Sequence, residues 1–561
     1  MSGTTPDDYY DLGTYHRPIT TSNPEAQTWF DRGLIWSYGF HHEESAECFQ
    51  KAISLDPDCA MAYWGLAYAL GPNYNKPWSF FDGVELESTV SRTHAAIESA
   101  ISKSRRTTAV EQALINALEF RYPQDKPDSD CSIWNLPYAD AMSAVHAQFP
   151  DDLEVATLCA DALMNLTPWA LWDLRTGRPA PDAKTLEIKR ILDHALTLPG
   201  GSTHPGLLHL YIHLMEMSPT PERAMPHADA LRDLVPDSGH LRHMPTHLDI
   251  LCGDYRAAIA GNSAAMAADR KYLARSGPLH FYTLYVTHDA HFRLYASLFS
   301  AQKRTALATA RVVEDNLPGA LLRVASPPMA DWLESFVGMR VHVLVRFGMW
   351  DDLLALPLPA DEDLYCVTTA LTHYGKGVAY ASSSRPSEAV AQRDLFRSAL
   401  TRVKPTRTLF NNTATDILAV ASAMLEGEIA YRQGHFDEAY SWLREAVRLD
   451  DSLPYDEPWG WMQPPRHAYG ALLLEQGHVE MAAKVYATDL GFDDDDDTLP
   501  RPQRHPNNVW SLHGYYECLV KLGRLAEARI LRPQLMYHVA LADVEIRSSC
   551  FCRLKTEEVM T

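Results

Sequence analysis

The sequence is short of basic residues: 50 Lys and Arg stand against 72 Asp and Glu, which gives a net charge of −22. A protein that binds a phosphate backbone needs a basic stripe to displace counterions, so we expect no nucleic-acid partner. Long apolar runs are also missing, because no segment approaches the roughly 18 residues of a membrane span. Residues 1–12 show no secretory pattern. We therefore expect a cytoplasmic protein without a membrane partner.

Cysteine is scarce, and no Cys-x-x-Cys pair occurs among the nine. This scatter predicts reduced thiols, with a structural or incidental role for Cys550 and Cys552. Nucleotide-binding glycine loops, Gly-x-Ser-x-Gly elbows and His-Glu-x-x-His helices are missing too. The acidic run Asp493–Asp497 lacks the spacing of a calcium loop and is predicted to be a solvated loop. Alternating strand patterns are likewise missing, which favours an all-α fold.

What the sequence does contain is a repeated helical pattern. Glycine, four residues and then alanine recur as Gly253–Ala258, Gly434–Ala439, Gly477–Ala482 and Gly523–Ala528. Glycine closes a first helix by adopting a left-handed backbone, and the alanine lets the second helix pack closely. The pattern predicts stacked helical hairpins with a repeat length of about 34–47 residues.

Residues 26–57 contain Trp29, Gly33, Phe49, Ala52 and Pro57 at spacings that resemble those of the tetratricopeptide repeat. The resemblance implies an all-α, right-handed superhelix of helical hairpins, here carrying insertions. Longer stretches, such as FHHEESAECFQKAI and HPGLLHLYIHLMEMSPTPERAMPHADALRDLVPDSGHLRHMPTHLD, resemble histidine-rich tetratricopeptide-repeat proteins of about this length. From the pattern we predict an N-terminal extension (1–25), a first array (26–350), a second array (351–540) and a C-terminal segment (541–561).

Histidine is concentrated between His204 and His291, where ten of the 24 histidines lie. Most fall at helical spacings of three, four or seven, so each group shares one face of a helix. The groups are His209 and His213 with Glu216; His240, His243 and His247; and His288 with His291. Carrying the repeat pattern inward starts three units at Pro205, Gly239 and Thr287. The resemblance then implies that these side chains line one concave groove, with His204, His227 and His280 outside it.

Packed helices lie about 8–10 Å apart, so imidazoles from two of them can reach a common ion. Imidazole suits zinc, copper, iron and nickel, and one added carboxylate keeps zinc and iron prominent. We therefore predict a transition-metal site whose metal is Cu, Fe or Zn. The alternative is a neutral polar groove that recognises an acidic ligand or senses pH.

The main hypothesis is a metal-dependent enzyme, an oxidoreductase or a hydrolase, that acts on a small organic molecule. Glu216 would be a ligand or the general base. We predict that Trp169 and Trp172 cover the substrate, and that Arg466 and His467 bind it, Arg466 through a carboxylate. The competing hypothesis is a protein–protein interaction scaffold that binds a protein or peptide in the concave groove, with any metal structural.

Overall fold

The computed structural model describes residues 9–493 and 499–554. Within these ranges the regular structure is almost entirely α-helical, as predicted. The predicted acidic loop lies outside them from residue 494 onward, and so does the end of the predicted C-terminal segment from residue 555. Two short antiparallel hairpins interrupt the helices, and their strands are β1 (Trp172–Asp173), β2 (Arg178–Pro179), β3 (Thr408–Leu409) and β4 (Asn412–Thr413).

The structure describes the following helices, in chain order. Those up to residue 252 are α1 (Pro24–Tyr38), α2 (His42–Leu55), α3 (Ala60–Leu70), α4 (Gly83–Lys103), α5 (Ala109–Glu119), α6 (Asn135–Gln148), α7 (Leu153–Met164), α8 (Thr185–Thr197), α9 (Pro205–Glu216), α10 (Met225–Leu231), α11 (Gly239–His243) and α12 (Pro245–Cys252). Those that follow are α13 (Tyr255–Ser276), α14 (Thr283–Phe299), α15 (Lys303–Asn316), α16 (Gly319–Leu322), α17 (Met329–Val337), α18 (Met339–Arg346), α19 (Trp350–Ala355), α20 (Cys366–Ser382), α21 (Pro386–Leu400), α22 (Ala414–Arg432), α23 (Phe436–Asp451), α24 (Pro465–Glu475), α25 (Val479–Leu490), α26 (Val509–Lys521) and α27 (Leu525–Leu541).

The chain divides into two compact units. Unit 1 comprises Met1–Leu248 and Ala264–Gly277, and unit 2 comprises Asp249–Ser263 and Pro278–Thr561. The predicted boundary between the first and second arrays, at residues 350 and 351, falls inside unit 2. Helical repeats stack on their neighbours through similar apolar faces, so composition carries no mark of the division.

In unit 1 the first hairpin, α1 and α2, is built around a close approach of glycine to an aromatic ring. A Cβ atom on Gly33 would come within 2.8 Å of the Phe49 ring, and one on Gly65 of α3 within 2.3 Å. Phe49 is fully buried. Glycine at both positions therefore lets three successive helices pack on one side chain.

The predicted N-terminal extension is non-helical up to Asn23 in the residues described, and it packs across unit 1. The Tyr9 hydroxyl donates to Glu44 on α2 (2.6 Å), and the Arg17 guanidinium donates to both oxygens of Asp152 ahead of α7 (3.0 and 2.8 Å). These contacts make the extension part of the unit 1 fold.

In unit 2 the predicted glycine turns are confirmed. Gly253, Gly434, Gly477 and Gly523 all adopt positive φ, between 70° and 83°. The alanines five residues later are buried in the helices that follow. Each glycine therefore ends one helix of a hairpin, and each alanine packs where the next helix approaches.

Reduced thiols were predicted for the whole chain, and this is wrong for one pair. Cys550 and Cys552 form a disulfide, with their Cα atoms 5.2 Å apart, inside the range that a disulfide requires. The other seven cysteines are free. None of the helices that the structure describes has both the length and the apolar character needed to cross a membrane.

Candidate metal centre

Helices α9, α11 and α12 bring six predicted site residues of unit 1 into its interior. Helix α9 begins at Pro205 and α11 at Gly239, as the repeat pattern predicts. The third predicted unit begins in α14 of unit 2, at Thr283, one turn before the predicted Thr287. The Thr283 hydroxyl donates to the Pro278 carbonyl oxygen (2.7 Å), which anchors that earlier start. The six side chains, each at most 2% exposed, are those of His209, His213, Glu216, His240, His243 and His247.

Glu216 joins the two histidine-bearing segments. Its Oε1 atom lies 2.8 Å from Nδ1 of His213, and its Oε2 atom lies 2.7 Å from Nδ1 of His247. An ionised carboxylate only accepts hydrogen bonds, so both rings carry their proton on Nδ1 and present the lone pair of Nε2. This carboxylate–histidine arrangement is the one that orients imidazole ligands towards a metal.

His209 is oriented by the backbone instead. Its Nδ1 atom lies 2.5 Å from the carbonyl oxygen of Tyr38, the last residue of α1. A carbonyl oxygen can only accept, so Nδ1 carries the proton and the lone pair again lies on Nε2. Three histidines of unit 1 therefore share one tautomer, each fixed by a different oxygen atom.

Within unit 1, possible ligand atoms form two overlapping groups. One ligand atom from each of His209, His213 and His240 lies within 4.8 Å of the others, and the same holds for His213, Glu216 and His247. Nε2 of His213 is buried and has no hydrogen-bond partner in the described residues. Nε2 of His243 lies 2.7 Å from Nε2 of His247. The neutral His213 ring has a single lone pair, on Nε2, so the group of His209, His213 and His240 can hold one ion.

Protonation of His213 is suppressed. Burial lowers its pKa well below the usual value, and the neighbouring His209, His247 and His243 lower it further. The imidazole is therefore neutral at neutral pH. A neutral imidazole is the form that binds a transition metal.

Sequence reasoning missed Phe40, which packs against three of these histidines. Its ring centroid lies 4.6 Å from that of His209, 5.8 Å from that of His213 and 5.7 Å from that of His240. Phe40 lies in the turn between α1 and α2 with φ at 53°, a left-handed backbone that few aromatic residues adopt. Its position directly before His41 and His42 is the one signal that the sequence offers.

The predicted tryptophans lie against helix α9. The Trp169 ring stacks on Tyr74 at 5.4 Å and meets the edge of His213 at 6.0 Å. The Trp172 indole nitrogen donates to the Leu214 carbonyl oxygen (2.6 Å). Trp169 adopts φ of 60°. Trp169 and Tyr74 thus form an aromatic wall beside His213, while Trp172 anchors the β1–β2 hairpin to α9.

His288 and His291 belong to α14 in unit 2. The His288 ring meets the edges of Phe292 and Phe410 at 5.3 and 4.9 Å. Nε2 of His291 lies 2.9 Å from the sulfur of Met462. The sequence predicted that these two histidines line the same concave groove as the histidines of unit 1, and this stays a prediction.

Arg466 and His467 begin α24 of unit 2 and have partners within that unit. The Arg466 guanidinium donates to both oxygens of Asp451 (2.5 and 2.7 Å). His467 lies 3.0 Å from Asp489 and 2.7 Å from the Arg346 guanidinium. Arg466 thus binds the carboxylate of Asp451, and its predicted contact with a substrate, like that of His467, stays a prediction.

Two of the three histidines placed outside the groove have other partners in unit 1. His204 caps α9, because its Nδ1 accepts from the Leu207 backbone nitrogen (3.2 Å), and its Nε2 lies 3.3 Å from Glu154. The His227 ring packs on Tyr211 at 4.6 Å. His280 lies in unit 2, just before α14. The contacts of His204 and His227 are those of residues that hold helices together.

Residues 26–59, the segment that supplies Tyr38 and Phe40 to the site, match the family model described as tetratricopeptide repeat. This segment is a tetratricopeptide repeat. The match includes α1 and α2, with Gly33 against Phe49, and it confirms the resemblance found in the sequence. No curated protein matches the chain.

Solved helical-repeat structures align over most of the chain. They include the Naa15/Naa10 complex bound to HypK-THB (14% identity, 92% of this chain and 72% of that chain, TM-score 0.20) and yeast Tom70 (11%, 91% and 92%, 0.27). The tetratricopeptide-repeat domain of P58(IPK) aligns with 11% identity over 81% of this chain and 99% of that chain, at a TM-score of 0.20.

Proposed function

We propose that this protein is a tetratricopeptide-repeat scaffold for protein partners whose unit 1 holds a transition-metal ion. His209, His213 and His240 are the proposed ligands, and Glu216 orients His213. The observation that supports the proposal most strongly is the carboxylate of Glu216, which bonds Nδ1 of two histidines at once. These two hydrogen bonds keep the proton of both rings on Nδ1, so each ring presents the lone pair of Nε2 to a metal ion.

The buried state of His213 adds a second argument. A buried polar atom without a hydrogen bond costs about 1–3 kcal/mol. Nε2 of His213 is such an atom, and donor atoms of His209 and His240 lie within 4.8 Å of one of its ring nitrogens. An ion bound to the three imidazoles would remove this cost. Imidazole donors suit zinc, copper and iron, so the donor set leaves these three open.

The closed surroundings favour a structural role for the ion. Structural metal sites are closed to solvent, whereas catalytic sites keep one position open to solvent or substrate. The six side chains are at most 2% exposed, and they come from α9, α11 and α12. In this proposal the metal fastens α9 to α11 and so fixes one hairpin relative to the next.

The scaffold part of the proposal follows from the repeat. Stacked helical repeats present extended surfaces on which other proteins bind. The tetratricopeptide repeat at residues 26–59 also supplies the Tyr38 carbonyl oxygen and the Phe40 ring to the metal centre. Metal binding would therefore stiffen the repeat that is offered to a partner.

A metal-dependent enzyme is the second candidate, and Trp169 is the observation that favours it. Left-handed backbones at large residues store strain and cluster at functional sites. Trp169 adopts φ of 60° beside His213, with Tyr74 stacked on it. This aromatic wall would contact a small organic molecule bound at the metal, for oxidation or hydrolysis.

Metal removal separates these alternatives. The full chain is stripped with a chelator, and its melting temperature is compared with that of the metal-loaded chain. An ion held at about 1,000 times its dissociation constant stabilises a fold by about 4 kcal/mol, so we expect a loss of several degrees that added metal reverses. Turnover of a small organic molecule that disappears when the metal is removed would favour the enzyme. A chain that contains no metal and melts identically after chelation would refute both proposals.

A further inference from the structure

A second group of buried side chains that could bind a metal ion lies in unit 2. It consists of His291 on α14, His342 on α18 and Met462 in the segment before α24. Nε2 of His291 lies 2.9 Å from Sδ of Met462. All three side chains are at most 1% exposed. Two elements far apart in the chain thus bring a nitrogen and a thioether sulfur into contact in the interior.

Neither neutral tautomer of His291 gives both of its ring nitrogens a good hydrogen bond. A thioether is only a weak acceptor, so a proton on Nε2 gains little from Met462 and leaves Nδ1 as a buried lone pair. A proton on Nδ1 instead leaves that donor unpaired, because Nδ1 has no hydrogen-bond partner in the described residues. It also turns the lone pair of Nε2 towards the lone pairs of sulfur. A cation bound by nitrogen and sulfur would resolve the second case.

His342 contacts both residues that flank Met462: the Gln463 amide donates to its carbonyl oxygen (2.6 Å), and its ring lies 4.9 Å from that of Trp461. Its Nδ1 is buried and also has no hydrogen-bond partner in the part of the chain that the structure describes. Each of the two imidazole rings therefore has a buried nitrogen atom that no described group pairs.

The rings around these donors are aromatic and apolar. The Phe336 ring meets the edge of His291 at 5.0 Å, and the Trp461 ring meets that of His342 at 4.9 Å. An apolar interior penalises net charge, so a monovalent ion is favoured over a divalent one. The thioether adds a chemical preference, because soft sulfur ligands select Cu(I).

We propose that His291, His342 and Met462 form a Cu(I) site in unit 2. The site goes beyond the histidine centre of unit 1, since its defining ligand is a sulfur atom and its expected ion is monovalent. His291 was predicted to bind metal together with His288, but Met462 and His342 are the partners that its surroundings supply. The sequence alone does not identify Met462 and His342 as partners of His291. A histidine within an apolar helix and a methionine within a loop resemble ordinary core residues.

The test uses the full chain labelled with selenomethionine and loaded with Cu(I) under reducing conditions. Selenium enters only at methionine, so a copper–selenium shell in the X-ray absorption spectrum reports a methionine ligand. We expect that shell in the labelled chain, and we expect Met462→Leu to abolish it. Met142→Leu, which changes a methionine buried to the same degree on α6 of unit 1, should keep it. His213→Ala, which affects unit 1, should keep it as well, so this test can fail independently of the proposed function.

Competition with a chromogenic Cu(I) chelator measures the affinity. His342→Gln should weaken Cu(I) binding at least about tenfold, and Met462→Leu, a swap that conserves volume, should do so with unchanged helical circular dichroism. The proposal is overturned if the wild-type chain retains no Cu(I) against the chelator. It is also overturned if the copper–selenium shell persists in Met462→Leu.

Discussion

Nδ1 of His209 lies 2.5 Å from the carbonyl oxygen of Tyr38. The two residues are 171 positions apart, and Tyr38 ends the first helix of the tetratricopeptide repeat. The repeat therefore determines the tautomer of a proposed metal ligand. Binding of an ion at His209 and the geometry of the first hairpin should depend on each other.

Replacing Glu216 with Gln should weaken metal binding at unit 1. The amide has one oxygen and cannot accept from both His213 and His247, so one ring loses its orientation. Loss of such a supporting group typically costs 10–100-fold in affinity. Competition against a chromogenic zinc chelator measures this loss.

The matched control for Glu216→Gln is Glu222→Gln, which removes an exposed carboxylate six residues further along the chain. The control should bind metal like the wild-type chain. Equal affinity of Glu216→Gln and Glu222→Gln would contradict the orienting role of Glu216.

Replacing Phe40 with Ala should destabilise unit 1. The ring packs on three histidines and is 5% exposed, and truncation of a buried phenylalanine costs about 3–5 kcal/mol. Urea unfolding measures the change in the free energy of unfolding. Phe120→Ala serves as control, because that ring is 52% exposed and its loss should cost less than about 0.5 kcal/mol. A similar change in both variants would show that Phe40 does not support the histidines.

Lowering the pH should destabilise unit 2, because His467 binds a proton more readily in the unfolded chain than in the folded one. Burial lowers its pKa to about 4, and Arg346 and His505 act in the same direction, while Asp489 opposes them. The unfolded value is about 6.5, so the unfolded chain binds more protons between the two values, and stability falls as the pH drops below about 6.5. At pH 5 the loss from this group is about 2 kcal/mol.

His467→Gln removes the titrating ring and keeps polar atoms for its neighbours. Its free energy of unfolding in urea should fall less than that of the wild-type chain between pH 7 and pH 5. His435→Gln, at a histidine that is 63% exposed, is the control. An unchanged pH dependence in His467→Gln would contradict this account of the buried ring.

Local patterns predicted the helical elements well. Glycine and alanine at a fixed offset locate the turns of unit 2, because a left-handed backbone and a close helix contact both depend on residues near in sequence. Spacings of three and four likewise place His209, His213 and Glu216 on one face of α9. These predictions needed only the geometry of one helix.

Contacts between distant segments could not be predicted. The Tyr38 carbonyl oxygen and the Phe40 ring reach the histidines from 170 residues away, and a carbonyl group leaves no mark in the sequence. Met462 meets His291 across a similar distance. The starting residue of α14 was also missed, because the Thr283 contact with Pro278 lies outside the repeat pattern.

The central claim is that unit 1 binds a transition metal through its histidines, and elemental analysis tests it most directly. The full chain is purified after growth with added zinc or iron, beside His213→Ala, His213→Gln and the control His16→Ala, whose imidazole is 55% exposed. We predict about one equivalent of metal in the wild-type chain and in His16→Ala that both His213 variants lose while remaining helical. Equal metal content in all four proteins would contradict the account.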